Sequence, residues 1–534
     1  MQSYYAIERK KNMLCFYFFA QNDFMMIKVY GAALDGIGAQ IITIEVNVSR
    51  GAKIYMVGLP DNAVKESHQR ISAALKNNGF KLPIREITIN LAPADIKKEG
   101  SAYDLPIAIG ILIASCQLKN IINVSDYLIM GELSLDGELR PIKGVLPIAS
   151  QARKMGFKHV IVPYENAHEA SLIENLNVYG AKNINEVVGH FNGEKPINPF
   201  VKKIKVEEDQ FLNFDFSDVK GQENVKRGLE IAATGGHNII LIGPPGSGKS
   251  MLAKRIPTIL PTLSVKESLE TTKIYSVSGL TNQKKSLINR RPFRSPHHTI
   301  SNVALVGGGS NPMPGEISLA HNGVLFLDEF PEFKRNVLEV LRQPLEDREV
   351  TVSRALRSVV YPARFMLVAA MNPTPSGDYY DPHSFNSDSA YKIKRYLDKL
   401  SGPLMDRIDL QIEVLAVPFD QLSSHKSSES SADIKKRVIR SRKIQEKRYA
   451  DCDDVFCNAH MTDQLMDKYC EMDDAGMEIL RNAVTKLKLS ARSYSRVRKV
   501  ARTIADMDNS DRIKAEHVAE AIQYRSLDRM NQFV

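Results

Sequence analysis

Alternation of apolar and polar or β-branched positions marks residues 41–48, 87–91 and 159–162, and each run predicts a strand. Between them the spacing changes. Val64, His68, Ile71 and Leu75 fall at i, i+4, i+7 and i+11, which predicts a helix that Asp61 caps and Gly79 stops. This first stretch reads as an α+β domain. From about residue 214 the pattern differs: fully apolar runs at 239–242, 324–327 and 365–370 alternate with helix-length segments, which predicts a parallel sheet with crossover helices. Beyond residue 434 the apolar spacing is helical and no strand is expected. Two polar stretches, 192–208 with its prolines and the serine-rich 423–431, read as connections.

The expected fold class is therefore multidomain α/β. Its divisions are an extension at 1–25, an α+β domain at 26–185, a linker at 186–212, an α/β core at 213–420, a second linker at 421–433 and a helical domain at 434–534. Met25-Met26 is a second candidate start.

Composition narrows the class. A chain of 534 residues accommodates three or four domains, and 43% hydrophobic with 25% charged residues is a globular balance. The longest strongly apolar stretch, 105–116, spans 12 residues against the roughly 20 of a membrane-crossing helix, so no membrane partner is expected. Lys10-Lys11 followed by an apolar run superficially resembles a secretion signal but lacks a clear cleavage site. Five irregularly spaced cysteines suit reduced thiols and a cytoplasmic location. The net charge of +9 favours contact with polyanions without establishing it.

The sharpest chemistry lies at Gly243-Pro244-Pro245-Gly246-Ser247-Gly248-Lys249-Ser250, which fits the phosphate-binding pattern G-x-x-x-x-G-K-[ST] between a predicted strand and a predicted helix. Glycines let backbone N–H groups close around phosphate oxygens, Lys249 neutralises the β and γ oxygens of ATP, and the Ser250 hydroxyl is a ligand for Mg²⁺. The run 324–327 ends in Asp328-Glu329, an acid for Mg²⁺ followed by a candidate general base. Asn372, at the end of the run 365–370, is a candidate for orienting the attacking water.

Longer blocks carry a resemblance. VGLPDNAVKES (57–67), NLAPADIKKEGSAYDLPIAIGIL (90–112), RPFRSPHH (291–298), PGEISLAHNGVLFLDEFPEF (314–333), QPLEDREVTVSRA (343–355), SGPLMDRIDL (401–410) and SARSYSRVRKVARTIADM (490–507) resemble the magnesium-chelatase-like AAA+ ATPases of the ComM/YifB type. The resemblance implies a homo-oligomeric ring, usually hexameric, with nucleotide at subunit interfaces. It implies Arg407 as an arginine finger acting on the neighbour and Arg492 as sensor 2, with Arg496 as the competing choice. It also implies an insert (295–309) and a hairpin (346–357) facing the channel, with Arg354 and Arg357 as candidate DNA contacts. Relatives of this type are associated with ATP-driven DNA branch migration in recombination and transformation, so branched or single-stranded DNA is the implied partner. Two alternatives stay open: a magnesium chelatase motor subunit, and a regulatory ATPase that remodels proteins.

The first domain resembles the Lon protease domain, but Ile107 stands at the serine position and Leu146 at the lysine position, with Lys143 nearby. An alkyl side chain neither attacks a carbonyl nor moves a proton, so no peptidase activity is expected. Ser101 reads as a turn hydroxyl. Relatives carry a cysteine cluster where this chain has Thr374, Ser376, Asn386 and Asp388, so no zinc is expected. Cys452, Cys457 and His460 lack a convincing fourth ligand, and His297-His298 read as loop residues. The eight lysines and arginines within 435–448 read as a solvated helix or a weak DNA surface.

Overall fold

The structure, a computed structural model, describes residues 25–118, 123–201, 214–281, 287–309, 312–354, 357–377, 389–418, 421, 428–452, 454–487 and 489–525. Residues 1–24, 202–212 and 422–427, with Cys15, Asn386 and Asp388, lie outside the described residues. The chain divides into two compact units, Met1–Lys205 with Ser268–Ile288, and Val206–Glu267 with Asn289–Val534.

In the first unit, β1 (Met25–Asp35), β2 (Gly38–Ser49), β3 (Ile54–Val57), β4 (Glu86–Ala92) and β5 (Tyr127–Ile129) precede a small hairpin of β6 (Glu132–Leu133) and β7 (Leu139–Arg140). With β8 (His159–Pro163) and β9 (Asn177–Ala181) the main strands form a mixed sheet ordered β3-β4-β2-β1-β5-β8-β9. The helix Asp104–Ala114 is buried throughout and packs on β1 and β2. Gly110 permits that approach, because a Cβ there would stand 2.7 Å from Val46 Cγ2. Ile107 and Leu146 are both fully buried in this core.

Three expectations need correction here. Asp61 does cap a helix, accepting from Val64 N at 2.7 Å, but that helix is the short Asn62–Lys65. The chain restarts as Ser67–Asn77, where Ile71 and Leu75 keep the expected buried face and Ser67 and Ala74 join it. His68 turns outward, its Nδ1 2.8 Å from the Lys65 carbonyl. The linker expected from residue 186 begins inside the helix Ile184–Phe191, whose apolar face is buried, and Phe200 N still donates to Val178 O. Finally, Ser268–Ile288, expected in the α/β core, belongs to the first unit: Gly144 N donates to Ser276 O, and Thr281 Oγ1 to the Glu169 carboxylate.

The second unit holds β10 (Ile239–Ile242), β11 (Phe293–Arg294), a hairpin of β12 (Gly307–Gly308) and β13 (Met313–Pro314), β14 (Val324–Leu327), a hairpin of β15 (Glu349–Arg354) and β16 (Arg357–Pro362), β17 (Met366–Met371) and β18 (Leu410–Glu413). The sheet β11-β14-β17-β10-β18 is parallel throughout. Its strands β10, β14 and β17 are buried at every position, as strands covered on both faces require. The second hairpin begins at Glu349 rather than Glu346, which ends up in the helix Arg342–Asp347. Past Ser431 the described residues are helical, and Ile434, Val438, Val500 and Ile504 share one apolar core with Leu229, Leu252 and Ile412. The helical segment and the sheet are thus a single packed body. No helix among the described residues is long and apolar enough to cross a membrane.

Candidate functional site

Parallel strands converge their C-terminal ends on one edge, the place where α/β sheets bind ligands. β17 lies between β10 and β14, so the segments following all three meet there. After β10 comes the glycine-rich turn, then the helix Lys249–Ile259. The turn needs its glycines: a Cβ on Gly243 would meet Val414 O at 2.1 Å, and Gly246 and Gly248 have φ of +77° and +91°.

Four of the residues singled out in the sequence touch in pairs. Lys249 Nζ donates to Gly243 O at 2.7 Å, Pro244 O at 2.9 Å and Asn372 Oδ1 at 3.1 Å. Burial lowers the Lys249 pKa, with Asp328 opposing the shift. Ser250 Oγ donates to Asp328 Oδ2 at 2.6 Å. Glu329 follows in the left-handed region, φ 52°, with its N–H on Asp328 Oδ1 at 3.0 Å and its side chain 60% exposed.

This arrangement suits a nucleoside triphosphate with its Mg²⁺. The lysine is satisfied by carbonyls that a more strongly charged phosphate can displace, and the buried Ser247 hydroxyl has no partner among the described residues. Ser250 and Asp328, already in contact, are the pair that would hold the ion, whose charge offsets that of the phosphates. Among the described residues no group of three or more His, Cys, Asp or Glu side chains is arranged for a metal. Thr374 and Ser376 lie 3.1 Å apart through their hydroxyls. Cys452, Cys457 and Cys470 form no disulfide among the described residues.

The arginines make their contacts elsewhere. Arg407 donates to Pro403 O at 2.6 Å and to the Glu346 carboxylate. The acids on either side of it serve the two sensor candidates: Arg492 lies 3.9 Å from Asp406 and is 55% exposed, whereas Arg496 lies 3.2 Å from Asp409 and is 22% exposed. Asp409 also accepts from Asn238 N at 3.1 Å and faces His237 Nδ1 at 3.3 Å. Burial would raise the Asp409 pKa, but Arg496, His237 and Lys499 hold it far below the usual carboxylate range. Arg354 and Arg357 are register partners at the end of the β15–β16 hairpin; their side chains lie outside the described residues.

The basic run at 435–448 is largely committed internally. Arg437 pairs with Glu230 and Glu429, Arg440 donates to Met507 O, Arg442 to Ala233 O, and Arg448 to Asp506. Sequence reasoning passed over two residues that the fold brings to candidate groups. His298 Nδ1 lies 2.9 Å from Glu329 Oε2, and Glu346 covers Arg407. Each contact depends on strand and helix neighbours that linear spacing does not reveal; the only signal was the position of His298 within the RPFRSPHH block.

Known proteins match along most of the chain. Residues 215–422 match the family "Magnesium chelatase, subunit ChlI", residues 44–166 "Subunit ChlI of Mg-chelatase", and residues 428–525 "Magnesium chelatase, subunit ChlI C-terminal". Competence protein ComM of Haemophilus influenzae is 44% identical over 511 residues, covering 94% of this chain and 98% of that protein. YifB of Salmonella typhimurium is 45% identical over 506 residues, covering 94% and 97%. Lon protease of Buchnera aphidicola is 29% identical over 174 residues, 30% of this chain and 22% of that protein. With its phosphate turn, paired acids and near-complete match to these relatives, the chain belongs to the magnesium-chelatase-like ATPase family of the ComM and YifB type.

Proposed function

We propose that this protein is a cytoplasmic, ring-forming AAA+ ATPase that couples ATP hydrolysis to the remodelling of DNA, by branch migration of recombining strands. The observation that carries the ATPase reading is the convergence of Lys249–Asn372 and Ser250–Asp328 beside Glu329 at the ends of three adjacent parallel strands. Lys249 and the turn amides bind the phosphates, Ser250 and Asp328 hold the ion, Glu329 takes the proton of the attacking water, and Asn372 orients that water. Arg407 acts on the γ-phosphate bound by the neighbouring subunit, a contribution of about 10³–10⁵ in rate where such fingers operate. Arg492 reads the nucleotide from the helical segment.

The DNA reading is supported by the 44% identity with a competence protein over nearly the whole of both chains. It is also supported by the placement of Arg354 and Arg357 together at a hairpin end, where cations would meet phosphates and confer salt-sensitive binding. A chelatase motor reading has less support, because the matches to ComM and YifB extend through the first unit as well as the ATPase sheet. Ile107 and Leu146, buried alkyl groups at the positions of the Lon dyad, leave that unit a binding or assembly platform.

The deciding experiment follows ATP-dependent migration of a labelled four-way junction, with Glu329→Gln as control. Junction movement by the wild type and none by the variant is the expected result. ATP turnover that is indifferent to every DNA, with no junction movement, would reject the DNA assignment and leave a protein-remodelling ATPase.

A further inference from the structure

Because β11 pairs in parallel with β14, the chain leaving β11 emerges beside the chain leaving β14. His298 stands on the first of these segments and Glu329 on the second. The imidazole Nδ1 lies 2.9 Å from Glu329 Oε2. His298 is itself held: its ring lies 4.1 Å from that of His297, and the edge of Phe333 meets it at 6.4 Å between centroids, with Phe333 buried. Glu329, by contrast, projects a largely exposed side chain from a left-handed backbone position.

A glutamate so exposed samples several rotamers, and a general base is effective only while its carboxylate faces the water it deprotonates. We infer that His298 is a positioning residue for Glu329: its imidazole, with Nδ1 2.9 Å from Oε2, restrains the carboxylate and leaves Oε1 as the oxygen that receives the proton. The inference rests on the reading of Glu329 as the base. It adds a donor from the segment that runs on into the helix Asn302–Val306.

The test compares His298→Ala, His298→Asn and His298→Gln in steady-state ATP turnover, with KM and nucleotide binding measured for each. An asparagine amide nitrogen occupies nearly the place of Nδ1, whereas a glutamine amide reaches toward the place of Nε2. His298→Ala should lower kcat by about ten- to a hundredfold, the scale of a misplaced reacting group, and leave KM within about twofold. His298→Asn should recover most of the loss and His298→Gln little. In a Glu329→Gln background, His298→Ala should cost nothing further, because the two residues act as one unit.

Equal impairment of the asparagine and glutamine variants, a kcat for His298→Ala within about twofold of wild type, or a KM that rises as kcat falls would overturn the inference. If the alanine variant folds poorly, the asparagine–glutamine comparison carries the test, since both are polar and differ in reach. Failure of the underlying reading looks different: Glu329→Gln would then turn over ATP at the wild-type rate. Wild-type turnover that Glu329→Gln abolishes and His298→Ala leaves intact rejects His298 alone.

Discussion

Arg407 and Glu346 form an ion pair within one chain, the guanidinium donating through Nη2 to the carboxylate. Its Nη1 is held by Pro403 O, its Nε is buried without a hydrogen-bond partner among the described residues, and the side chain is 8% exposed. Both residues line a 530 Å³ cavity together with Arg342, Glu339 and Asp347. The proposed finger is therefore sheathed by a carboxylate of its own chain, and Glu346 sits in the helix that leads straight into the β15–β16 hairpin.

Glu346→Gln keeps the shape and removes the charge that holds the guanidinium. ATP turnover per subunit should rise several-fold at protein concentrations where wild-type rings are sparsely formed, and Arg407→Ala should erase the gain. Turnover measured against protein concentration decides. A fall in turnover would mean that the carboxylate aims the finger instead of withholding it.

Action across a subunit seam has its own signature. Arg407→Ala should bind nucleotide normally and hydrolyse little, as should any ring lacking fingers. Mixed with Lys249→Ala, whose subunits bind poorly but keep their finger, it should regain part of the activity. Absence of any recovery in mixed rings counts against the finger acting in trans.

The two sensor candidates separate by what each leaves behind. Arg496 faces Asp409, which is 1% exposed, so Arg496→Ala strands a buried carboxylate and should cost about 3–5 kcal/mol in chemical denaturation. Arg492 pairs loosely with Asp406 at the surface. Arg492→Ala should change stability by less than about 1 kcal/mol while lowering hydrolysis. Stability losses of equal size would show that the two arginines share one structural role.

Local pattern made much of this architecture legible. The glycine turn, the two acids and the asparagine were readable because each follows an apolar run whose end the parallel sheet fixes. Contacts between distant segments were not. His298 is the loop residue that the sequence suggests, but nothing in the spacing tells that β11 lies next to β14 and brings this loop to Glu329. Resemblance placed Glu346 at the start of a hairpin, and nothing in the sequence marks where the helix Arg342–Asp347 ends, at Arg348 with φ 60°. The helix expected through His68 kept its cap and the burial of Val64, Ile71 and Leu75 but not its continuity, since the restart at Ser67 carries no periodic signature. Nor could composition reveal that Arg437 and Arg448 pair with Glu230, Glu429 and Asp506, or that Arg440 and Arg442 donate to backbone carbonyls.

Ile107 tests the platform reading of the first unit. Ile107→Ser, with or without Leu146→Lys, puts a polar group and a cavity into a fully buried position. The single serine variant should lose about 3–5 kcal/mol of stability and gain no peptidase activity. Cleavage of an unstructured protein substrate by the double variant would contradict this, as it would mean that the dyad geometry survives intact beneath the substitutions.

Lys499 gives the molecule a pH dependence of definite sign. Its ammonium is buried on the helix Ala491–Met507 and donates to Ala459 O at 3.1 Å. Burial, followed by Arg496 and Arg348, lowers its pKa to about 8 against the opposing pull of Asp409. An unfolded lysine keeps its proton to about pH 10.4. Between those values the unfolded chain binds more protons than the folded one, so this group's contribution to stability rises with pH. Lys499→Met, of similar length and apolar, removes the contribution. Compared with that variant, the wild type should gain about 2 kcal/mol in denaturant unfolding from pH 7.5 to 9.5. A difference that stays constant over this range, or shrinks in the opposite direction, would mean that the folded chain keeps the ammonium charged despite the arginines around it.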